Sequence, residues 1–312
     1  MVLVRADCGR ADVSADFPQG PIIGPAADGH LHVMTQNLRY PAPDPGHLWE
    51  QRRPVMAALL DRERPCVLGT QEGHLNQIRD IAADLPGGYE WIGEGREGGG
   101  RGEHMAIFYD SRHLAPREHG HVWLSDTPHV PGSTTWGNAA PRMATWVRFA
   151  DTRSAGTSTS TSAGTASGAR TRTETGMAAE FVVVNTHLDN HSATARIRGA
   201  TFLARMVESF GATPVIVTGD FNTAAESSEP YRVLVADTEL SDTWLAAKDQ
   251  RTPAYATFAG YKEPAVGGVR IDWILTTAGI TVEAAAINPF AAGGQFPSDH
   301  LGVQALLTLP HR

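Results

Sequence analysis

Short apolar runs recur along the chain and repeatedly end on polar residues of the same few types. Leu31-His32-Val33-Met34-Thr35 predicts a strand ending at Gln36-Asn37-Leu38. From Gly46 to Asp61, Leu48, Val55, Met56, Leu59 and Leu60 keep an approximate helical period, which predicts a helix stopped by Pro65. Val67-Leu68-Gly69-Thr70 predicts a short buried strand ending at Gln71-Glu72, and a second helix spans His74 to Leu85. Strands are predicted next at Tyr89–Ile92, Met105–Tyr109, Val122–Leu124 and Thr145–Phe149. The later part alternates again: strand Phe181–Val184, a helix from Ser192 to Ser209, then strands Pro214–Thr218, Ile271–Leu275 and Val303–Leu307. Many strands with few helices between them predict a layered α/β sandwich, since a Rossmann fold needs more regular alternation.

Two segments break the pattern. Residues 1–29 are rich in Asp, Ala, Pro and Gly without a clear period, and predict a flexible N-terminal extension to a domain over 30–312. Ser154 to Ser167 is almost wholly Ser, Thr, Ala and Gly, too little apolar surface to offset the entropy of ordering. The low-complexity stretch 151–178 interrupts two strand signals that could pair, so it reads as an insertion in a surface loop. Between two other strand signals lies the glycine-rich run Gly93 to Gly102. Gly98-Gly99-Gly100 could cradle a phosphate, but no helical pattern follows, and a hairpin loop is the simpler reading.

Composition narrows the class. Hydrophobic residues make up 41% and charged residues 19% of 312, ordinary for a soluble globular chain. The net charge of −8 argues against sequence-blind binding of long nucleic acid. Cys8 and Cys66 form no metal-binding or disulfide framework. No apolar run reaches the roughly 18 residues of a membrane span, and the first residues carry no signal-peptide pattern. The expectation is a cytoplasmic monomer without membrane insertion.

The chemistry lies at the strand ends. Asn37, Glu72, the set Asn185, His187 and Asp189, then Asp220 and Asn222, each follow a strand; Asp299 and His300 precede the last one. Sites of sheet proteins collect at strand ends, and carboxylate and amide oxygens suit hard cations. With no cysteine ligand and no His-rich zinc spacing, the inventory fits Mg²⁺ or Mn²⁺ better than zinc. Asp272 stands among Ile271, Trp273 and Ile274, so its charge needs a partner, and His300 is the natural candidate.

Six motifs occur in order: Gln36-Asn37-Leu38-Arg39, Gly69-Thr70-Gln71-Glu72, Asn185-Thr186-His187-Leu188-Asp189, Thr218-Gly219-Asp220-Phe221-Asn222, Ile271-Asp272-Trp273-Ile274 and Ser298-Asp299-His300. This series resembles the DNase I-like endonuclease/exonuclease/phosphatase superfamily. With Trp123 to Pro128, it looks most like a bacterial branch near the deadenylase-like members. The resemblance implies a four-layer α/β sandwich, two mainly antiparallel sheets flanked by helices. It also implies roles. Glu72 would bind the metal with Asn37 near it and Asp299 completing the shell. Asp220 would orient and deprotonate the attacking water, and Asn222 would hold a phosphate oxygen. Asp272 would orient His300, which would contact the phosphate or shuttle a proton. His187 would stand on the leaving-group side, with Glu103 as its supporting partner.

For substrate contacts, Arg142 is the best of the candidate arginines Arg39, Arg142 and Arg196, though a solvated arginine is the simpler reading of each; Asn185 and Asp189 are further candidates. Trp123 and Trp136 could stack on a base or sugar, with core packing favoured for Trp123. The expected activity is metal-assisted hydrolysis of a phosphate ester by in-line attack of water. A single-stranded nucleic acid end, a nucleotide, a lipid head group or a sugar phosphate would each fit. The alternative is a catalytically silent member that binds a phosphate ligand or a protein.

Overall fold

The structure, a computed structural model, describes residues 20–154, 157–161, 171–175 and 178–310. The first half runs β1 (Leu31–Asn37), α1 (Trp49–Glu63), β2 (Val67–Gly73), α2 (Leu75–Asp84), β3 (Tyr89–Ile92), β4 (His104–Asp110), β5 (Leu114–Trp123) and β6 (Met143–Asp151). A small pair, β7 (Thr157–Thr161) and β8 (Thr171–Thr175), follows. Then come β9 (Ala179–His187), α3 (Ala193–Ser209), β10 (Val215–Asp220), β11 (Ser241–Asp242), β12 (Asp249–Gln250), β13 (Asp272–Thr276), β14 (Thr281–Asn288) and β15 (Gly302–Thr308).

Two sheets form the sandwich. One has the order β12-β14-β15-β1-β2-β4-β3, the other β11-β13-β10-β9-β6-β5. Most neighbours are antiparallel; β1–β2, β9–β10 and β12–β14 are parallel. Side chains alternate between the two faces of a strand, and the packing follows that parity. Phe181 and Val183 of β9 and Ile216 of β10 join Leu31, Val33, Val67 and Ile107 in the core between the sheets. Val182, Val184, Val215 and Val217 face the other way and pack under α3. On the opposite flank, Met34, Leu68 and Phe108 pack under α1 and α2 through Met56, Leu59 and Ile78. Helices outside and sheets inside give the four layers expected. Strands buried on both faces read as unbroken apolar runs, which is why Phe181–Val184 lacks alternation.

Some elements differ from the sequence reading. The strand β14 lies in Thr-Val-Glu-Ala-Ala-Ala-Ile-Asn, where alanine favours helix. Pairing with β15 overrides that propensity, with a register shift between Val282 and Ala284. Helix α1 runs to Glu63, past the expected end, and that carboxylate has a task. It accepts hydrogen bonds from the backbone of Ile22, Ile23 and Gly24 and from Asn288 Nδ2. Residues 20–24 are thus held against the domain, a correction to the loose extension expected over 1–29; residues 1–19 lie outside the described residues. The low-complexity insertion enters at the end of a ladder, since Asp151 pairs with Ala179 and the backbone of β7 and β8 forms a separate ribbon. The rest of that segment lies outside the described residues. Among the described residues no helix is long and apolar enough to cross a membrane.

Candidate active site

The parity that fills the core also builds the site. One step beyond Phe181 and Val183 on the same face of β9 come Asn185 and then His187, which in β10 are level with Thr218 and Asp220. Asp272 opens β13 directly across from Asp220. The inner face of the sandwich therefore turns from apolar to polar at one end. Asn185 marks the change. It is fully buried, accepts from Gln71 Nε2 at 2.7 Å across the sheets, and donates to the carbonyls of Thr70 and Ala106. This is a correction to its expected substrate role: its polar atoms are committed to tying the sheets together.

Asp272 and His300 form the expected pair. The imidazole Nδ1–H donates to Asp272 Oδ2 at 2.9 Å, and Nε2 stands 3.9 Å from Asp220 Oδ2. Burial opposes charge on His300, but Asp272, by its charge and its hydrogen bond, overcomes that and lifts the imidazole pKa to about 10. Burial, reinforced by the charge of Asp272, pushes the Asp220 carboxyl up to about 7. His187 is different. Burial, together with the nearby guanidinium groups of Arg142 and Arg96, drives its pKa well below the usual value, so it is neutral. Its Nε2 accepts from Asn222 Nδ2 at 2.8 Å, which places its proton on Nδ1. Asn222 also donates to Leu188 O, and its backbone N–H donates to Asp220 Oδ1. In this arrangement Asn222 orients His187 and Asp220 with both amide hydrogens used, and it lines the cavity in which it was expected to meet a phosphate oxygen.

Glu72 sits in left-handed backbone (φ 61°) where the β2–β4 register shifts, and this kink lifts its carboxylate into the cavity. Asn37 is buried beneath it. Its Nδ2 donates to Glu72 Oε1 at 2.9 Å and Asp220 Oδ2 at 3.0 Å, while its Oδ1 accepts from Arg39 N. As placed, Asn37 holds the two carboxylates together and stands beside the expected cation position. Single ligand atoms of Glu72, Asp220 and His300 lie within 4.8 Å of one another. A protonated His300 bonded to Asp272 is a poor ligand, so the carboxylates are the donors that suit a cation here. Asp299 also lines the cavity, 3.6 Å from Arg39 Nε, and burial raises its pKa. The Glu72 and Asp220 carboxylates, brought close together, offer the oxygen donors that a hard divalent cation takes.

The cavity between these groups measures about 420 Å³. Arg39, Arg96 and Arg142 enter it from the walls, and Tyr40 and Phe258 edge it. Arg142 lines the cavity and is buried rather than solvated, with Nη2 donating to Asn190 Oδ1 at 2.9 Å. Asp189 does not reach the cavity. It accepts from the backbone of His191 and Ser192 ahead of α3 and braces Arg142 at 3.5 Å, which corrects its expected substrate contact. Arg196 is turned away, donating to Asp189 O. Trp123 is core, and Trp136 is buried against α3 with Nε1 on Asp126. Glu103 is present, 3.9 Å from His187 Nδ1, and burial pushes its carboxyl up to about 7.

Sequence reasoning missed two contributors. Arg96 looks like one more charge in a glycine-rich loop. Arg52 looks like a solvated helical residue, yet it is fully buried in α1. Its guanidinium donates to the carbonyls of Leu38, Arg39, His47 and Pro297, clamping the loop after Asn37 to the loop before Asp299. No local spacing signals such a clamp; its partners are far apart in the chain.

A two-sheet sandwich with carboxylates, an Asp–His pair and arginines converging at one end defines a phosphate-ester hydrolase architecture. The chain belongs to the Endonuclease/Exonuclease/phosphatase family, whose model matches residues 34–300. Among solved structures, a mannosyl-6-phosphatase of Bacteroides thetaiotaomicron is similar, with 28% identity, 89% of this chain and 99% of that chain covered, and a TM-score of 0.77. An endonuclease/exonuclease/phosphatase family protein from the same organism is also 28% identical, covering 90% and 98% with a TM-score of 0.78. The human Nocturnin catalytic domain with bound sulfate shares the fold at 16% identity, covering 90% and 95% with a TM-score of 0.65. No curated protein matches the sequence.

Proposed function

We propose that this protein is a Mg²⁺- or Mn²⁺-dependent hydrolase of small phosphate esters, with sugar phosphates the leading substrate class. The observation that carries the reading is the placement of Asp220 between Glu72 and the Asp272–His300 pair on the floor of one cavity. Glu72 and Asp299 would hold the cation, which would neutralise charge on the phosphoryl group and make it more open to attack. Asp220 orients a water and takes its proton as the water oxygen bonds to phosphorus and the bond from phosphorus to the ester oxygen breaks; the departing alkoxide takes a proton from solvent, and Asp220 returns its own to solvent. His300, charged and oriented by Asp272, donates from Nε2 to a phosphoryl oxygen where negative charge grows. Arg142 pairs with another. His187, kept neutral, lines the leaving-group side with Glu103 behind it.

The similarity to a mannosyl-6-phosphatase supports a sugar monoester. So do the cavity's small volume and the acidic net charge of −8, which suit a small substrate better than duplex DNA. A panel of sugar phosphates, nucleotides, a generic monoester and a generic diester, assayed with each cation and with EDTA, tests the reading. Metal-dependent turnover led by sugar phosphates is expected. No turnover of any ester, or full turnover without metal, overturns it.

A further inference from the structure

Arg96 has a place that the acid–base geometry does not explain. It sits in the glycine-rich loop between β3 and β4, which folds back closely on itself. Gly95 lies against the Arg101 carbonyl, where any Cβ would collide, and Gly102 needs its φ of 74°. Arg96 N donates to Glu103 O at 2.8 Å, and Trp123 Nε1 donates to Arg96 O at 2.6 Å, so the loop backbone is pinned from two sides. The side chain reaches the cavity wall from a fixed base.

One carboxylate there faces two donors. Glu103 Oε2 accepts from Arg96 Nη1 at 2.6 Å. The same oxygen lies 3.9 Å from His187 Nδ1, beyond hydrogen-bond range. Both Arg96 Nε and His187 Nδ1 are buried with no hydrogen-bond acceptor. Buried donors without acceptors are uncommon and call for an explanation. A ligand that drew Arg96 away would satisfy both, because Glu103 would then be free to take the His187 proton donor.

We propose that Arg96 is the specificity-determining residue for a terminal phosphoryl group: a phosphomonoester draws Arg96 from Glu103 onto its oxygens, and Glu103 turns to His187 Nδ1–H. This rests on the phosphoesterase reading and names its substrate class. A monoester has three non-bridging oxygens and close to two negative charges at neutral pH; a diester has two oxygens and one charge. A guanidinium gives up a buried carboxylate more readily for a dianion that accepts two parallel N–H bonds. Arg142 lines the same cavity, so two forks can meet a terminal group. The exchange needs no change in protonation of Arg96, and it links the arrival of the correct phosphate to the orientation of His187.

The test uses the full-length protein with Mg²⁺, inorganic phosphate as the binding probe, and p-nitrophenyl phosphate against bis(p-nitrophenyl) phosphate as paired esters. Arg96→Met is expected to weaken phosphate binding by at least ~10-fold and to lower the monoester-to-diester ratio of kcat/KM by a similar factor, the scale of a lost charged hydrogen bond. Arg96→Lys, which keeps charge and volume but loses the fork, is expected to fall between and guards against a folding defect. Glu103→Gln is expected to tighten phosphate binding, since Arg96 loses its charged partner, while lowering kcat, since a neutral amide oxygen is a weaker acceptor than a carboxylate for His187 Nδ1–H. A structural role would not split those two readouts. An unchanged ester ratio, or phosphate binding unaffected by Arg96→Met, overturns the proposal. So does weaker phosphate binding in Glu103→Gln. If the wild type binds phosphate through Arg96 yet hydrolyses no ester, the hydrolase reading fails and the anion selectivity stands.

Discussion

Asp272 Oδ2 accepts the Nδ1–H of His300 at 2.9 Å, joining the first residue of β13 to a residue two positions before β15. Both are buried, so neither is held by solvent. If they act as one unit, losing either loses the same thing. Asp272→Asn and His300→Ala are each expected to lower turnover by on the order of 10²-fold or more, the scale of a positioned acid–base group. The double variant should cost far less than the product of the two. Turnover per folded molecule is the measurement. Additive losses, or near-normal turnover in either single variant, would show that the pair is a stabilising contact and not part of the reaction.

Glu72 projects from a left-handed kink and shares Asn37 with Asp220. If it holds the cation, Glu72→Gln should raise the concentration of Mg²⁺ or Mn²⁺ needed for half-maximal activity by at least ~10-fold. Saturating metal should restore part of the rate. Metal titrations of the variant and wild type, each after EDTA stripping, give the comparison. An unchanged metal requirement would place the cation elsewhere.

The strands bearing these residues were legible because they are unbroken apolar runs, and their polar ends stood out against them. Asp272 announced its need for a partner by its apolar neighbours. The roles of Asn37, Asn185, Asp189 and Asn222 were not legible. Sequence shows that an amide or carboxylate sits at a strand end, but not which way its donors and acceptors point. Asn185 lies on the inner face two residues before His187, and that step separates a buried cross-link from a residue at the cavity. Arg52 and Arg96 escaped notice because their partners are brought in by the fold. The strand β14 was hidden by alanines whose helical preference yields to a neighbouring strand.

The β6–β9 ladder extends to Asp151 and Ala179, so the chain can turn there without the low-complexity insertion. Deleting residues 154–175 leaves a short turn between paired strands. Closing a shorter loop costs little, and the segment is poor in apolar side chains. The expected result is a melting temperature within a few degrees of the full chain and unchanged turnover. A large drop in either would show that the insertion packs on the domain or binds something.

His32, which does not line the cavity, offers a test of stability against pH. It is fully buried in β1, with Nδ1–H donating to Gly24 O at 2.8 Å and Nε2 without a partner. Burial, only partly offset by Glu63, lowers its pKa from 6.5 to about 4. The native state therefore keeps His32 neutral where the unfolded chain would protonate it. Between those two values the unfolded state binds more protons, so stability falls as pH drops. The contribution is full above about pH 6.5 and is lost progressively toward pH 4, about 3 kcal/mol at most from this group. Other groups titrate in the same range, so the comparison is with His32→Asn, whose amide can keep the bond to Gly24 O but cannot take a proton. Urea unfolding of both proteins at half-unit steps from pH 7.5 to 4.5 measures the difference. The stability of the wild type should fall more steeply, by up to one bound proton's worth of slope. Parallel curves would mean that His32 is protonated in the folded protein, with Glu63 as its counter-ion.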